Sequence, residues 1–250
     1  MESYQIRNPY FKATPRLDYL KVALDLSEAE VIHAIRQYMP QCDIQYGIWN
    51  TYADQVPHLY GHLVTMHDDR LFIVYTHHNS VGTTFIVAMG IEAELLEHLL
   101  YMVFDRGNTY MQDAIFNNYT PAHIVTVPLH RIMEYHIAVD TSRVPYENLR
   151  NALIKYNMYT THPFKTEEIG GVMHGRSFYL GKPDSKFTKV YVYEKGKKHG
   201  YSTMGSWVRL EAQVVLSKHA EQQRAYHTNL PTLLRANAAF NQVMSEVGIG

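Results

Sequence analysis

The sequence is poor in cysteine, in long apolar runs and in net charge, and each shortage excludes a class of protein. Its 250 residues include one cysteine, Cys42, so a framework of intrachain disulfide bonds is impossible. No apolar run approaches the roughly 20 residues that a membrane-spanning helix requires. The opening residues, MESYQIRNPYFKATPR, lack the apolar core of a signal peptide. We therefore expect a cytoplasmic protein with no membrane partner.

The formal net charge is only −1, which argues against a protein that grips nucleic acid over its whole surface. The charge is nevertheless unevenly distributed. Residues 176–200 contain seven lysines and arginines against two acidic residues, so this stretch carries +5 and the remaining 225 residues carry −6. A basic stretch in an acidic protein indicates a confined contact with an anion, although a solvated hairpin tip explains the same composition.

The composition, with 46% hydrophobic and 19% charged residues, is that of a globular protein. Apolar spacing predicts the same order of elements twice: a strand, a helix, several strands and a closing helix. This order favours the α+β class, with an antiparallel sheet covered by helices and two structurally related halves. We place the halves at residues 1–110 and 120–250, because the segment 105–121 is polar and rich in Asn and Tyr.

Individual elements follow from spacing and from capping signals. Ser27 followed by Glu30 has the pattern of a capping box, which predicts that a helix begins there. Strands are predicted at residues 17–26, 44–52, 59–66, 70–76, 83–89, 130–140, 172–180, 187–194 and 207–216. Helices are predicted at 27–38, 91–104, 145–157, 218–228 and 231–247, and loops at 158–171 and 195–206.

The strand at 130–140 carries three groups that are able to bind a metal ion. Alternation places Glu134, His136 and Asp140 on one face of this strand. Residues two apart in a strand are separated by roughly 6.6 Å, and residues four apart by roughly 13 Å. One cation therefore reaches His136 together with Glu134 directly, but reaches Asp140 only through a twist, a bulge or a water molecule. A solvent-facing strand edge is the alternative interpretation.

Two later strands add a carboxylate and a tyrosine. Arg209 and Glu211 share a face, so Glu211 is a candidate oxygen ligand and Arg209 a candidate phosphate contact, unless they are an ordinary exposed ion pair. Tyr179 stands just before Leu180 and Gly181, and glycine permits a sharp turn or a close backbone approach. A tyrosine hydroxyl acts as a covalent nucleophile when nearby cations assist it. Taken alone, Tyr179 is more typical of a structural strand tyrosine.

Four short motifs, in this order, resemble the Rep_trans family of rolling-circle replication initiators, which includes plasmid and phage initiators and some relaxases. The motifs are Glu134-Tyr-His-Ile-Ala-Val-Asp140, Tyr179-Leu-Gly-Lys-Pro-Asp-Ser185, Val190-Tyr-Val-Tyr-Glu-Lys195 and Trp207-Val-Arg-Leu-Glu211. The resemblance covers residues 130–216, about a third of the chain. It implies the fold of the HUH-type endonucleases, in which an antiparallel sheet bears both metal ligands and nucleophile.

The resemblance also implies roles for five residues. Tyr179 matches the nucleophile, and Lys195 matches the lysine that follows the family's Tyr-acid pair, so both are predicted to be catalytic. His136, Asp140 and Glu211 match acidic positions of the metal site, which implies a bound Mg²⁺ or Mn²⁺.

The chain departs from the family pattern at several phosphate-contacting positions. Glu134 replaces an arginine of the metal strand, so the metal site is open to a shift towards Glu134. Tyr191 replaces a second arginine, and Pro183 falls in the region of a third. Residues predicted to contact DNA are Lys182, Lys186, Lys189 and Arg209.

The predicted activity is nicking and rejoining of a DNA strand through a 5′-phosphotyrosine intermediate. The expected partners are a single-stranded or hairpin origin and host helicase or replication proteins, with residues 1–110 contributing to DNA binding. Tyr191 and Tyr193 are the alternative nucleophiles. The alternative functions are a relaxase, a non-catalytic DNA-binding regulator, and an unrelated metal-binding protein. The last would use histidines whose spacing matches no strong zinc pattern: His58, His62, His67, His77 and His78.

Overall fold

A computed structural model describes most of the chain as two compact units. The described residues are 15–49, 59–67, 69–76, 82–90, 92–100, 130–161, 163–171, 175–183, 188–198, 207–215 and 230–249. The first unit comprises Leu17–His136 and Val215–Leu230. The second unit comprises Met1–Arg16, Ile137–Val214 and Pro231–Gly250.

The first unit contains five strands and two helices. They are β1 (Arg16–Leu24), α1 (Glu28–Tyr38), β2 (Asp43–Trp49), β3 (Leu59–Met66), β4 (Asp69–Thr76), β5 (Thr84–Met89) and α2 (Glu92–Leu99). The strand order is β1–β5–β4–β3–β2, and all four pairings are antiparallel. The predicted capping box is confirmed, because Ser27 Oγ accepts from the Glu30 amide and the Glu30 carboxylate accepts from the Ser27 amide.

The sheet of the first unit is apolar on both faces. Helix α1 lies on one face, where Glu28 accepts a hydrogen bond from Thr76 and Val31 and Ile35 are fully buried. The opposite face carries a cluster of buried apolar side chains. Its members are Tyr19, Ala23, Leu63, Ile73, Tyr75, Phe85 and Val87.

The second unit repeats the same plan. Its elements are β6 (His130–Thr141), which begins in the first unit, α3 (Tyr146–Tyr159), β7 (Thr166–Gly171), β8 (Gly175–Leu180), β9 (Lys189–Tyr193), β10 (Val208–Val215) and α4 (Leu230–Glu246). A single helical turn, Lys195–Lys198, follows β9 and is called the lysine turn below. The strand order is β6–β10–β9–β8–β7, with antiparallel pairing from β10 to β7.

Both units therefore have one topology. In each, the first strand lies beside the last, the remaining strands follow in descending order, and a helix comes directly after the first strand. The predicted α+β class, with antiparallel sheets, helices and two structurally related halves, is confirmed.

The structure differs from the predicted elements at two places. Residues 166–171 were expected in a loop but form β7. The strand was not predicted because every residue of this edge strand is exposed and the sequence shows no apolar alternation there. The lysine turn begins a segment that was predicted to be a loop throughout. The predicted helix 218–228 and the predicted boundary 105–121 lie outside the described residues.

Among the helices of the described residues, none combines the length and the apolar character needed to cross a lipid bilayer.

Candidate functional site

Strands β7 to β10 gather polar and aromatic side chains on one face of the second unit. Directly paired residues of neighbouring strands share a face. The pairings Glu167–Tyr179, Tyr179–Tyr191 and Tyr191–Glu211 therefore form one row across four strands. Because side chains alternate along a strand, five further polar residues belong to this polar face: Ser177, Lys189, Tyr193, Arg209 and Gln213.

The opposite face of these strands packs against helix α3. The guanidinium carbon of Arg150, in α3, lies 5.2 Å from the centroid of the Phe178 ring. Phe178 and its face neighbours Leu180, Val190 and Val192 are buried. Apolar residues on the helix side thus fix the register that turns the tyrosines and charged residues to the other side.

Three tyrosines form a stacked series on the polar face. The ring centroids of Tyr179 and Tyr191 are 5.1 Å apart, and those of Tyr191 and Tyr193 are 5.7 Å apart. The Lys189 ammonium lies 6.0 Å from the Tyr179 ring and 5.6 Å from the Tyr191 ring. Lys198 lies 4.8 Å from the Tyr193 ring. Ammonium groups near both ends of the series make it a cationic aromatic surface.

The backbone after Tyr179 turns sharply, as glycine at position 181 predicts. Gly181 has φ = 111°, a conformation that other residues rarely adopt. A Cβ there would lie 2.9 Å from Lys189 Cβ and 3.0 Å from the carbonyl oxygen of Thr188. The Lys189 ammonium donates to the Pro183 carbonyl at 2.8 Å, so it ties down the turn. Lys189 therefore positions the segment that carries Tyr179.

Electrostatics keep the Tyr179 hydroxyl protonated. Burial raises the pKa of Tyr179, and the negative charge of Glu211 raises it further. Glu211 is only 4% exposed, and the Tyr193 hydroxyl donates to its carboxylate at 3.5 Å. A reaction at Tyr179 consequently needs a cation nearby to favour the phenolate.

Asp140 lies among cations. Arg209 donates two hydrogen bonds to its carboxylate, from Nε at 2.8 Å and from Nη2 at 2.7 Å. Lys195 Nζ donates at 3.2 Å, and Arg16 Nη2 lies 3.5 Å away. Burial opposes the charged form of Asp140, but the hydrogen bonds and charges of Arg209 and Lys195 outweigh it and lower the pKa to about 2.

His136 belongs to the first unit, where it pairs with Glu134. Its Nε2 lies 2.9 Å from Glu134 Oε1, and its ring centroid lies 4.7 Å from that of Tyr19. Both members of the pair are largely buried, with 7% and 19% of their side chains exposed.

The described residues do not form the implied metal site. Within them, no three His, Cys, Asp or Glu side chains group closely enough to hold a metal ion. The carboxylate of Asp140 is already neutralised by Arg209 and Lys195, so its oxygens fit ion pairing better than coordination of Mg²⁺ or Mn²⁺. Divalent-ion dependence stays a prediction. Of the histidines considered for zinc, His62 pairs with Glu28 at 2.8 Å, and His58, His77 and His78 lie outside the described residues.

Glu194 holds the lysine turn, a role that the sequence patterns did not suggest. Its carboxylate, 5% exposed, accepts from the Arg176 amide at 2.9 Å, from Arg176 Nε at 3.2 Å and from Lys197 Nζ at 2.8 Å. Burial raises the pKa of Glu194, but these bonds more than offset it and lower the pKa to about 2. Arg176 also bonds to Glu147 of α3. Lys195, at the start of the turn, lies 4.8 Å from the Trp207 ring.

The residues predicted to contact DNA differ in their exposure to solvent. Lys182 is exposed in the turn after Tyr179. Lys189 and Arg209 lie on the polar face and are 4% and 5% exposed. Lys186 lies outside the described residues.

Comparisons with known proteins give one similar solved structure to report. No protein-family model matches the chain, and no curated protein matches it either. The structure of a rolling circle replication initiator protein from Geobacillus stearothermophilus is similar, with 19% sequence identity and a TM-score of 0.49. The alignment covers 89% of this chain and 84% of that one.

Proposed function

We propose that this protein nicks and rejoins a DNA strand during rolling-circle replication, with Tyr179 as the nucleophile. The observation that carries the proposal is the row formed by Tyr179, Tyr191 and Glu211 on the polar face, with Lys189 beside both tyrosines. The motifs that resemble Rep_trans initiators supply these strands, although Tyr179 and Glu211 are 32 positions apart in the sequence.

In the proposed reaction, the Tyr179 hydroxyl oxygen attacks the phosphorus of a phosphodiester. The phenolic proton leaves to a base, a bond forms between the phenolic oxygen and phosphorus, and the bond to the 3′ oxygen breaks. That oxygen takes up a proton and becomes a free 3′-hydroxyl, while the 5′ side stays attached as a phosphotyrosine. The phosphotyrosine linkage is itself a phosphodiester, so attack by a 3′-hydroxyl re-forms the DNA strand and releases the tyrosine without a nucleotide cofactor.

Positive charge near Tyr179 supports this chemistry. Lys189 lies close to the ring, and a cation favours both the phenolate and the charge that develops on the phosphoryl oxygens. A divalent ion remains part of the proposal as a predicted requirement. The residues first predicted to hold it are His136, Asp140 and Glu211. DNA as partner, host replication proteins and a DNA-binding contribution from residues 1–110 are likewise proposals.

The test is covalent trapping on single-stranded origin DNA. Wild-type protein in Mn²⁺ is expected to give a protein–DNA adduct on a denaturing gel. Tyr179→Phe should abolish the adduct and leave DNA affinity unchanged, because only the hydroxyl is lost. A parallel reaction in EDTA tests the divalent-ion requirement.

Tyr191→Phe and Tyr193→Phe are the matched controls, because each removes one hydroxyl from the same stacked series. Both are expected to retain the adduct. If Tyr179→Phe still forms it and one of the other two does not, the nucleophile has been assigned to the wrong tyrosine.

A non-catalytic DNA-binding regulator is the second candidate. Two observations favour it: the pKa of Tyr179 is raised, and Asp140 is held by Arg209 and Lys195. This function predicts origin-specific binding with no adduct from the wild-type protein under any divalent-ion condition.

A further inference from the structure

The cations around Asp140 come from three distant parts of the sequence. Arg16 comes from β1, Lys195 from the lysine turn, and Arg209 from β10. All belong to the second unit, because the boundary between the units falls directly after Arg16, the first residue of β1. One carboxylate thus faces three positively charged groups, and this group of four residues is called the Asp140 cluster below.

The geometry of the cluster is that of an organised cation site. Two parallel hydrogen bonds from Arg209 to the carboxylate, 2.8 and 2.7 Å long, fix the plane of the guanidinium. Lys195 is held between the Asp140 carboxylate at 3.2 Å and the Trp207 ring at 4.8 Å. Arg16 has 45% of its side chain exposed, so the cluster reaches solvent on that side.

Such a site suits a phosphodiester more than a metal ion. Asp140 Oδ2 lies 2.7 Å from Arg209, 3.2 Å from Lys195 and 3.5 Å from Arg16. A divalent cation on this oxygen would face repulsion from all three groups at short range. An anion meets the opposite condition, because it is attracted by the positive groups of Arg16, Lys195 and Arg209. Asp140 holds Arg209 and Lys195 in fixed positions through hydrogen bonds.

The indole beside Lys195 adds a second recognition element. In single-stranded nucleic acids, a base lies next to each phosphate, and proteins bind them with cations that follow the backbone and aromatic rings that stack on bases. Trp207 supplies a ring adjoining the cluster.

We propose that the Asp140 cluster is a subsite for a phosphodiester of single-stranded DNA that binds without a divalent ion. Asp140 acts there as a positioning residue for Arg209 and Lys195. The ligand class rests on the proposed function, but the binding step is independent of the covalent step at Tyr179.

The test measures the affinity of a fluorescein-labelled single-stranded oligonucleotide by anisotropy, in EDTA, over a series of salt concentrations. The variants are Arg16→Gln and Lys195→Gln, both of which leave the buried Arg209–Asp140 pair intact. Arg143→Gln is the control, because Arg143 is an exposed arginine of the same unit. Thermal melting of each variant checks that the fold is retained.

The expected result is a loss of affinity of about two- to fivefold for Arg16→Gln, which is exposed, and about tenfold for Lys195→Gln. Each variant should also reduce the magnitude of the slope of log affinity against log salt by about 0.7, the value for one phosphate contact on a single strand. Arg143→Gln should change neither quantity.

Unchanged salt slopes in both variants would overturn the subsite, as would wild-type binding that appears only with Mn²⁺. The trapping assay on the same proteins separates this failure from that of the proposed function. If both variants bind the oligonucleotide normally in EDTA but no longer form the covalent adduct, the subsite is rejected and the proposed nicking function is kept. Reduced slopes, together with no adduct from the wild type, reject the nickase and keep the subsite.

Discussion

At the scale of single residues, Gly181 determines how the chain leaves Tyr179. Its positive φ and the nearby Lys189 Cβ leave no room for a side chain. The sequence predicted this constraint, because glycine beside a candidate nucleophile indicates a turn. It did not predict that Lys189 would secure the turn through Pro183, since that bond links a strand residue to the carbonyl of a loop residue.

Gly181→Ala is expected to lower the free energy of unfolding by more than the roughly 1–2 kcal/mol that a positive φ costs a non-glycine residue. The added Cβ also meets Lys189 and must displace it. The matched control is Gly248→Ala, because Gly248 has φ = 71° and a Cβ there meets no atom within 4 Å. Chemical denaturation measures both. Equal losses in the two variants would show that the contact with Lys189 has no effect.

The sequence predicted part of the arrangement of Tyr179, Tyr191 and Glu211. Alternation along each strand assigned the residues to faces, and the family resemblance put the strands in one sheet. The register of strand pairing aligns these residues in one row. The register could not be predicted, because it depends on contacts between different strands and not on the sequence of any one strand. For the same reason, Arg16 was missed as a partner of Asp140: the two are 124 positions apart in the sequence.

At the scale of elements, the lysine turn depends on a carboxylate that precedes it. Glu194 accepts bonds from Arg176 and Lys197 and thereby joins the turn to β8. Four residues with three lysines and a glycine have little tendency to form a stable helix alone. Tertiary ion pairs therefore supply the stability, which explains why the segment was predicted to be a loop.

Glu194→Gln is expected to destabilise the protein by about 2–4 kcal/mol, because it removes one partner of a buried ion pair. Glu168→Gln is the control: that carboxylate pairs with Arg150 at 2.9 Å on an exposed strand, where an ion pair contributes about 1 kcal/mol or less. Urea denaturation gives both values. Hydrogen exchange should become faster in Lys195–Lys198 for Glu194→Gln alone, and unchanged protection there would contradict the assigned role.

The edge strand β7 shows the limit of periodicity. Its residues are all exposed and include two consecutive glutamates and two consecutive glycines, so no apolar side chain marks a buried face. Pairing with β8 alone makes it a strand. Strands that pack an apolar face, such as β4 and β5, were by contrast predicted to within about two residues.

At the scale of the whole molecule, two carboxylates of the second unit make the stability of the protein fall at low pH. Asp140 and Glu194 both have pKa values lowered to about 2 in the folded protein. Because the pKa values are lower in the folded protein, the unfolded chain takes up protons at a higher pH than the folded protein does as the pH falls. The resulting stability is fully present above the unfolded pKa, near 4, and is lost as the pH falls towards 2.

Asp140 contributes about 2 kcal/mol of this acid-sensitive stability, because its pKa falls from 3.8 to about 2. Asp140→Asn should therefore cost stability at neutral pH and show a weaker further loss at about pH 3 than the wild type. The measurement is urea denaturation followed by Trp207 fluorescence in a Trp49→Phe background, since the chain has two tryptophans and each unit contains one. Parallel pH dependence in the two proteins would contradict the prediction.

The same strand order occurs in both units, yet their sheets carry different side chains. Backbone hydrogen bonds define the order of strands, whereas side chains alone decide what each sheet surface does. On the side away from its first helix, one copy bears Tyr75, Phe85 and other apolar groups, and the other bears Tyr179, Lys189 and Glu211. A repeated scaffold thus lets one copy present an apolar surface while its counterpart presents a polar and aromatic one, with the same order of strands in both.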